Sequence, residues 1–400
     1  MKKVAFVVQR YGAEVNGGAE TLARQMAEHL NKEYDVSVLT TKALDYITWE
    51  DYYKEDYEVI NQVRVRRFPV DKPRNIKEFS RICKKVLDNE KHTLAMEEEW
   101  FDKQGPYSPG LIQYIKDNKD NYDVFIFMTY LYYTTVKGLP AVKDKAVLIP
   151  TAHDEAPVYL KTFREIFNMP RGIFYLTHEE CEFTQKLFNN SNIINNNGYG
   201  GSGIEIPDSV NADFIKDKYG IEDYIVYAGR IDVSKGCKEL FKYFKKYKRH
   251  NKNNLKLVLI GKEVMRVPHN SNIISLGFVS EQEKYDVMAG ARALIMPSAF
   301  ESLSIVVLEA LGLGIPVICN GKCDVLKGHC KRSGAGIAYE DYRQFEAAIN
   351  RVINEIGSDE DLCRTIRNNA MEYVRNNYTW DIIMKRFNEV IEACARKENI

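Results

Sequence analysis

Short apolar runs of strand length alternate with helical patterns from one end of the chain to the other. Most runs are continuously hydrophobic, which is typical of strands covered on both faces in a parallel sheet. Between them lie amphipathic segments such as the one in which Leu22, Met26 and Leu30 recur every four residues. The alternation predicts an α/β fold with doubly wound sheets. The predicted strands are KKVAFVV, DVSVLTT, VRVRRFP, YDVFIFMTY, AVLIPTAH, IFYLTH, YIVYAGR, LKLVLIG, NIISLGF, ALIMPS, PVICN and GIAYE.

Segment 191–207 separates two complete sets of these elements, because Asn and Gly displace apolar residues there. We therefore predict an N-terminal domain over residues 1–197 and a C-terminal domain over residues 198–378. The glycines of this segment spell G-x-G-x-x-G, but no helical pattern follows them, as a dinucleotide-binding fingerprint requires. A linker is the better interpretation. The chain closes with a helical pattern over residues 379–400.

Composition and charge exclude several classes of protein. Of the 400 residues, 45% are hydrophobic and 28% charged, which excludes disordered and low-complexity chains. Lys+Arg and Asp+Glu both number 56, so the net charge of zero gives no bulk electrostatic reason to bind nucleic acid. The N-terminal apolar stretch ends after Val8, which is too short for a signal peptide or a membrane span. The eight scattered cysteines then predict reduced thiols and a cytoplasmic location.

Four potential soft metal ligands lie close together in the sequence. Cys319, Cys323, His329 and Cys330 could formally supply four zinc ligands. Their spacing is irregular, and Cys319 ends an apolar strand-like run where a buried structural thiol is the commoner explanation. We therefore predict no metal site.

Two segments run from a strand through a glycine-containing loop into a helix. In the first, Gly17 and Gly18 would let a ligand approach the backbone at a helix start, where free N–H groups favour an anion. In the second, a strand ends at Gly229, and Arg230 and Lys235 follow before the next helix. Cations at the carboxyl end of a parallel strand suit a diphosphate, although solvated surface cations would give the same pattern.

Two carboxylates stand eight residues apart in the segment ALIMPSAFESLSIVVLEALGLGIPVICN. Glu301 follows a predicted strand, and Glu309 lies within the next predicted helix. Both could face one cleft and accept hydrogen bonds from sugar hydroxyls. Taken alone, this spacing is also compatible with chance.

Together these segments resemble a known family. The order G-G-A-E from Gly17, H-D from His153, G-R-x4-K-G from Gly229 and P-S-x2-E-S-x-S-x4-E through Glu309 is similar to family 4 of the retaining glycosyltransferases, which have the GT-B fold. The resemblance covers nearly the whole chain. It implies two Rossmann-like doubly wound domains facing across a cleft, with the final helix 379–400 packing back on the N-terminal domain.

The resemblance also implies roles for individual residues. Arg230 and Lys235, with Gly229 before them, would bind the donor diphosphate. Glu301 would contact the transferred sugar, and Glu309 the nucleotide ribose. His153 would sit by the donor sugar, and the loop of Gly17 and Gly18 would lie near the diphosphate and the acceptor. The sites so predicted comprise catalytic His153, Arg230, Lys235 and Glu301, and donor-binding Gly17, Gly18, Gly229, Ser302, Leu303, Ser304 and Glu309.

The chain departs from the family pattern in two places. The family commonly has Gly-Phe-Gly after the first Glu, where this chain has Ser302, Leu303 and Ser304, so the backbone donors to the sugar are expected to differ. The usual Gly-rich segment after Pro316 is replaced by NGKCDVLKGHCKRSGAGIAYED, which leaves Lys322 and His329 without an assigned role. The donor sugar therefore stays open.

The predicted function is retaining transfer of a hexosyl group from a nucleoside-diphosphate sugar to a hydroxyl of a glycan, lipid-linked or small-molecule acceptor. UDP is favoured over GDP, and no cofactor or metal is expected, because no D-x-D triad follows a strand. A nucleotide-sugar epimerase, a glycan phosphorylase and a non-catalytic nucleotide-sugar-binding protein remain alternatives. Residues 72–91 form a basic amphipathic pattern that suits either a solvated outer helix, which we favour, or peripheral membrane contact. The oligomeric state stays open.

Overall fold

The structure, a computed structural model, describes residues 1–15, 17–89 and 91–396. The chain forms two compact units, one of Met1–Ser202 with Ile383–Ile400 and the other of Gly203–Ile382. The division at Ser202 falls inside the predicted linker 191–207, slightly beyond the boundary predicted after residue 197. At the other end the second unit closes at Ile382, where the prediction had 378. Residues 397–400 of the predicted last helix lie outside the described residues.

The first unit contains a seven-stranded sheet flanked by helices. Its strand order is β3-β4-β2-β1-β5-β6-β7, and every pairing is parallel except that of β3 with β4. Without the edge strand β3, this is the Rossmann order 3-2-1-4-5-6. Its elements are β1 Lys3–Val7, α1 Gly18–Leu30, β2 Asp35–Thr41, β3 Tyr57–Ile60, β4 Val63–Phe68, α2 Ile76–Leu87, α3 Leu94–Gln104, α4 Pro109–Asp117, β5 Val124–Met128, α5 Tyr133–Gly138, β6 Ala146–Ile149, α6 Lys161–Asn168, β7 Gly172–Ile173 and α7 His178–Phe188.

The second unit contains a six-stranded sheet with helices between its strands. Its strand order is β10-β9-β8-β11-β12-β13, and all the pairings are parallel. This is again the Rossmann order 3-2-1-4-5-6. Its elements are α8 Phe214–Tyr219, β8 Tyr224–Ala228, α9 Cys237–His250, β9 Lys256–Ile260, β10 Ile273–Ser275, α10 Glu281–Ala289, β11 Leu294–Met296, α11 Ile305–Gly312, β12 Val317–Asn320, α12 Asp324–Ser333, β13 Gly336–Tyr339, α13 Tyr342–Asn350 and α14 Glu360–Asn377.

The central strands are hydrophobic throughout because both of their faces are covered. Every residue of β5 and of β8 is buried, as the continuous apolar runs predict. The stripe of α1 packs on its sheet, with Leu22, Met26 and Leu30 at most 2% exposed. The prediction of two Rossmann-like α/β domains is therefore confirmed.

The last helix, α15 Trp380–Ala395, begins in the second unit, and its greater part belongs to the first. In the first unit its Glu392 accepts a hydrogen bond from the Tyr34 hydroxyl at 3.0 Å, and the ring of Phe387 lies 4.5 Å from that of Phe174. The sulfur of Cys394 lies so near Gly172 that a Cβ there would be 2.6 Å from it. The contacts with Phe174 and Gly172 lie at β7, whereas the one with Tyr34 lies just before β2, so α15 packs on the first unit at both places.

The structure adds one strand and shortens another relative to the sequence pattern. Strand β3 pairs with β4 through a turn at Asn61 and Gln62, both of which have positive φ. Such a turn usually contains Gly, so the sequence carried no hairpin signal. In the run IFYLTH, only Ile173 belongs to the short strand β7.

Helix α2 accounts for the basic amphipathic pattern. Ile82 and Val86 are buried, and Phe79 and Leu87 pack against the core of the first unit, whereas Ile76 is 52% exposed. Most of the apolar face is therefore covered by protein. Among the described helices, none is both long enough and apolar enough to cross a bilayer.

Candidate active site

The candidate site of the second unit lies where the strand order reverses. Strands β8 and β11 are neighbours in the sheet but not in sequence, and the loops after them carry Arg230, Lys235 and Glu301. Open α/β sheets bind ligands in the crevice outside the carboxyl ends of such strands. The fold therefore brings these three residues to the place where a ligand is expected.

Glycines allow the loop after β8 to pack closely against its neighbours. Gly236, at the start of α9, has φ +77°, and a Cβ there would stand 2.3 Å from the carbonyl oxygen of Pro297, which follows β11. Gly229 has φ +146°, and a Cβ on Gly261 would stand 2.0 Å from the Gly229 carbonyl oxygen. Close backbone approach at both points requires residues without side chains.

Lys235 and Glu301 form an ion pair across the reversal point. Lys235 Nζ donates to Glu301 Oε1 at 2.7 Å, with the two side chains 34% and 13% exposed. Arg230 makes a similar contact within its own loop, with its Nε 3.1 Å from Asp232 Oδ2. Each predicted diphosphate-binding cation thus already faces a carboxylate. No role was predicted for Asp232 from the sequence, although it follows Arg230 by only two residues and could have been expected to pair with it.

The loop after Glu301 ends in a residue with an unusual backbone. Ser304 precedes α11 with φ +63°, in the left-handed region that favours glycine. Its side chain is 7% exposed, and its Oγ has no hydrogen-bond partner among the described residues. Buried hydroxyls are nearly always hydrogen-bonded, so this Oγ is left available to a water or to a polar ligand. Ser302 and Leu303 lie in the same loop, and Leu303 is buried.

Glu309 is held inside the unit by two residues that the sequence analysis missed. Its Oε1 accepts from Lys284 Nζ at 2.8 Å and from the Tyr285 hydroxyl at 3.1 Å, both on α10. Burial disfavours the charged form of Lys284, but the nearby carboxylates of Glu309 and Glu281 raise the pKa of Lys284 above its usual value. Lys284 is therefore charged at neutral pH. No spacing rule relates α10 to α11, so only the fold could identify Lys284 and Tyr285.

In the first unit, the Gly17–Gly18 loop stands over a buried ion pair. Arg10 Nη2 lies 2.6 Å from Glu20 Oε1, and Gln9 Nε2 donates to the same oxygen at 3.0 Å. A Cβ on Gly17 would stand 2.2 Å from Glu20 Oε2, whereas one on Gly18 would meet no described atom within 4 Å. Gly17 is thus explained by the Glu20 carboxylate. That carboxylate also occupies the first turn of α1, where an anion would otherwise be favoured.

His153 follows β6 in the first unit, beside the half-buried carboxylate of Glu155 and the buried carboxylate of Glu180. Its Nε2 lies 3.5 Å from Glu155 Oε2, and the Tyr130 hydroxyl donates to Glu155 Oε1 at 2.9 Å. Burial opposes the charged form of Glu155, but His153 and the Tyr130 hydroxyl lower the pKa of Glu155 below its usual value. Glu180 accepts the backbone N–H of Ala152 at 2.5 Å and so fixes the backbone next to His153.

The soft-ligand cluster of the sequence forms a buried structural group. His329 is fully buried and bonded through both ring nitrogens, to the Tyr373 hydroxyl at 2.9 Å and the Leu303 carbonyl at 2.8 Å. A hydrogen bond with Cys330, together with burial, raises the pKa of the Cys319 thiol well above its ordinary value. Within the described ranges, no group of three or more His, Cys, Asp or Glu side chains is placed to hold a metal ion.

Solved structures show the class of fold. A sucrose-phosphate synthase from Thermosynechococcus elongatus superposes with a TM-score of 0.69 at 15% identity, over 98% of this chain and 99% of that one. A trehalose-phosphate synthase (UDP-forming) from Burkholderia vietnamiensis gives a TM-score of 0.72 at 10% identity, over 100% and 99%. Anabaena HepE in complex with UDP and glucose gives 0.67 at 14% identity, over 98% and 100%. The chain has the GT-B fold of glycosyltransferases.

Sequence comparison is more specific for the second unit. Residues 211–373 match the family described as glycosyl transferases group 1. An uncharacterized glycosyltransferase of Methanocaldococcus jannaschii is 29% identical over 179 residues, which cover 41% of this chain and 43% of that protein. The alignment thus spans less than half of that curated relative. The family match thus lies within the second unit of this GT-B protein.

The Lys284–Glu309 pair generates a stability prediction. We expect Lys284→Met to lower the free energy of unfolding by about 2 kcal/mol at pH 7, because it leaves a mostly buried carboxylate without its cation. A lysine whose pKa is higher in the folded than in the unfolded protein contributes its full stabilisation of the folded state at pH values below the unfolded pKa of about 10.4. The difference between wild type and variant should therefore be constant from pH 7 to 9 and shrink as the pH rises further.

Urea unfolding at several pH values measures this difference. The matched control is Lys216→Met, which removes a cation that lies 3.6 Å from Glu222 and is 56% exposed. The control should cost less than about 0.5 kcal/mol. Equal losses in the two variants would show that Lys284 contributes no more than a surface ion pair.

Proposed function

We propose that the protein is a retaining glycosyltransferase that moves a hexosyl group from a nucleoside-diphosphate sugar to a hydroxyl of a glycan, lipid-linked or small-molecule acceptor. The observation that supports this most directly is the 2.7 Å contact between Lys235 and Glu301 across the reversal point of the second sheet. A cation for phosphate and a carboxylate for sugar hydroxyls are adjacent there. The group 1 family match covers this unit.

The donor diphosphate would take over cations that now face carboxylates. Arg230 would turn from Asp232, and Lys235 from Glu301, because a diphosphate carries more negative charge than either carboxylate. Glu301, released from Lys235, would then accept hydrogen bonds from the sugar. This exchange couples binding of the diphosphate to readiness of the carboxylate.

Ser304 and Glu309 would hold other parts of the donor. The orphaned Oγ of Ser304 and the first N–H groups of α11 suit an oxygen of the phosphate or sugar. Lys284 and Tyr285 both bond Glu309 Oε1, so Oε2 would accept the ribose hydroxyls. UDP is the favoured nucleotide, in line with the UDP and glucose named for the Anabaena structure.

The chemistry is a substitution with retention at the anomeric carbon. The acceptor hydroxyl would attack from the side of the leaving group, through an oxocarbenium-like state. As the bond from the anomeric carbon to the diphosphate oxygen breaks, its electron pair goes to the diphosphate, which then takes the acceptor proton. Arg230 and Lys235 would stabilise the developing charge, which is commonly the largest catalytic contribution. His153 would contact the donor sugar, and no metal would be required.

The remaining features of the proposal concern location and acceptor. All eight cysteines are free, which supports a reducing compartment such as the cytoplasm. Because most of its apolar face is covered by protein, α2 would contact an anionic membrane only through its exposed basic face, which includes Lys77, Arg81 and Lys84, if the acceptor is lipid-linked.

Turnover tests the proposed function directly. The protein should release a nucleoside diphosphate from a panel of UDP- and GDP-sugars when hydroxyl acceptors are supplied, and proton NMR should show the donor's anomeric configuration in the product. Activity should survive EDTA. A free 2-epimer would identify an epimerase instead, activity with sugar phosphate and no nucleotide a phosphorylase, and donor binding without any product a binding protein.

Substitutions at the two cations test the proposed site. Arg230→Ala and Lys235→Ala should each weaken nucleoside-diphosphate binding. Each should also lower kcat/KM, with a loss of transition-state stabilisation of about 3 kcal/mol, since each removes a positive charge that would face the leaving group. Asp232→Asn should bind the diphosphate at least as tightly as wild type, because it removes a competing charge yet can still accept from the Ser234 N–H. Calorimetry with the nucleoside diphosphates measures the change in affinity for all three variants, and the turnover assay measures kcat/KM.

The control is Lys238→Ala, which removes an exposed cation from the same helix start. It should leave affinity and turnover near the wild-type values. If both site variants behaved like this control, the diphosphate would have to bind elsewhere.

A further inference from the structure

The backbone carbonyl of Leu303, in the loop that follows Glu301, accepts a hydrogen bond from the ring of His329. The ring is fully buried, and its Nε2 lies 2.8 Å from the Leu303 oxygen. A carbonyl oxygen can only accept, so Nε2 carries the proton in this contact. Nδ1 then accepts from the Tyr373 hydroxyl at 2.9 Å.

The residues behind His329 restrict its ring. The Tyr373 hydroxyl is 3.1 Å from that of Tyr378, and Arg332 Nε donates to the Tyr373 hydroxyl at 3.3 Å.

A second contact supports the start of the Glu301 loop. Asn320 Nδ2 donates to the carbonyl of Pro297, the residue after β11, at 3.0 Å. The segment 320–333 therefore supports the Glu301 loop at two points.

This anchor determines where the next amide points. In a trans peptide the C=O and N–H bonds point in opposite directions, so the Ser304 N–H is directed away from His329. Within the described chain, the Ser304 N–H has no acceptor and the Ser304 Oγ has no partner. Among the described residues, these two donor groups at the start of α11 have no protein acceptor. Holding Ser304 at φ +63° has a conformational cost, which the buried anchor helps to offset.

We propose that His329 is a positioning residue: by holding the Leu303–Ser304 peptide, it presents the Ser304 N–H and Oγ to the diphosphate-sugar donor. This inference rests on the proposed function and extends it to a residue outside the ligand's reach. It also connects the two departures from the family pattern, since the loop with Ser302, Leu303 and Ser304 is bonded to the segment that replaces the Gly-rich stretch. The two segments that depart from the family pattern are therefore in direct contact with each other.

The test compares three variants of the full-length protein. His329→Leu removes the anchor, His329→Gln retains an N–H where Nε2 stands, and Tyr373→Phe removes only the hydroxyl behind the ring. Calorimetry with UDP, GDP, ADP and dTDP identifies the nucleoside diphosphate that wild type binds, and its affinity is then measured for each variant. Melting temperatures report how much each change destabilises the fold.

We expect His329→Leu to bind the diphosphate at least tenfold more weakly than wild type, with kcat on the corresponding nucleotide sugar reduced further. His329→Gln should recover affinity to within about threefold. Tyr373→Phe should lower the melting temperature yet bind within threefold of wild type, because the Leu303 anchor remains.

Three results would overturn the inference. Wild-type affinity in His329→Leu would show that the anchor does not matter for the donor. Losses in Tyr373→Phe as large as those in His329→Leu, or no recovery in His329→Gln, would reduce His329 to a stability role. Failure of wild type to bind any of the four diphosphates would refute the proposed function itself, and this inference with it.

Discussion

The reversal of strand order between β8 and β11 is the constraint on which the site depends. It places the ends of two strands that are far apart in sequence side by side, and the Lys235–Glu301 contact exists only because of it. Gly236 allows the two loops to meet, since a Cβ there would stand 2.3 Å from the Pro297 carbonyl oxygen. Lys235 and Glu301, which are 66 positions apart in the sequence, thereby form an ion pair.

The charged groups of this site are compensated rather than exposed as a bare cationic surface. Lys235 faces Glu301, Arg230 faces Asp232, and Glu309 faces Lys284. A ligand with two phosphates would exchange partners with cations that are already paired with carboxylates, and this pairing offsets the repulsion between the cations before a ligand binds. Behind them, the buried His329 network holds the loop backbone in place through the Leu303 carbonyl.

The fold could be predicted from the sequence because continuous apolar runs indicate buried parallel strands. The charged loops could be predicted as well, because Arg230, Lys235 and Glu301 lie in the segments that follow such runs. The sequence was insufficient wherever partners come from another element. Lys284 reaches Glu309 from a different helix, and His329 reaches Leu303 through the core. Gly17 was predicted to lie near a ligand, and the structure adds a second reason for its glycine, since a Cβ there would stand 2.2 Å from the Glu20 carboxylate that pairs with Arg10.

The central claim, that Lys235 leaves Glu301 for the donor diphosphate, is tested most directly by Glu301→Gln. Calorimetry should show nucleoside-diphosphate affinity equal to or higher than that of wild type, since Lys235 loses a competing carboxylate, while kcat with the nucleotide sugar falls by about 100-fold or more. A parallel loss of diphosphate affinity and turnover would contradict the account, because it would mean that Glu301 holds Lys235 in its binding position instead of competing for it.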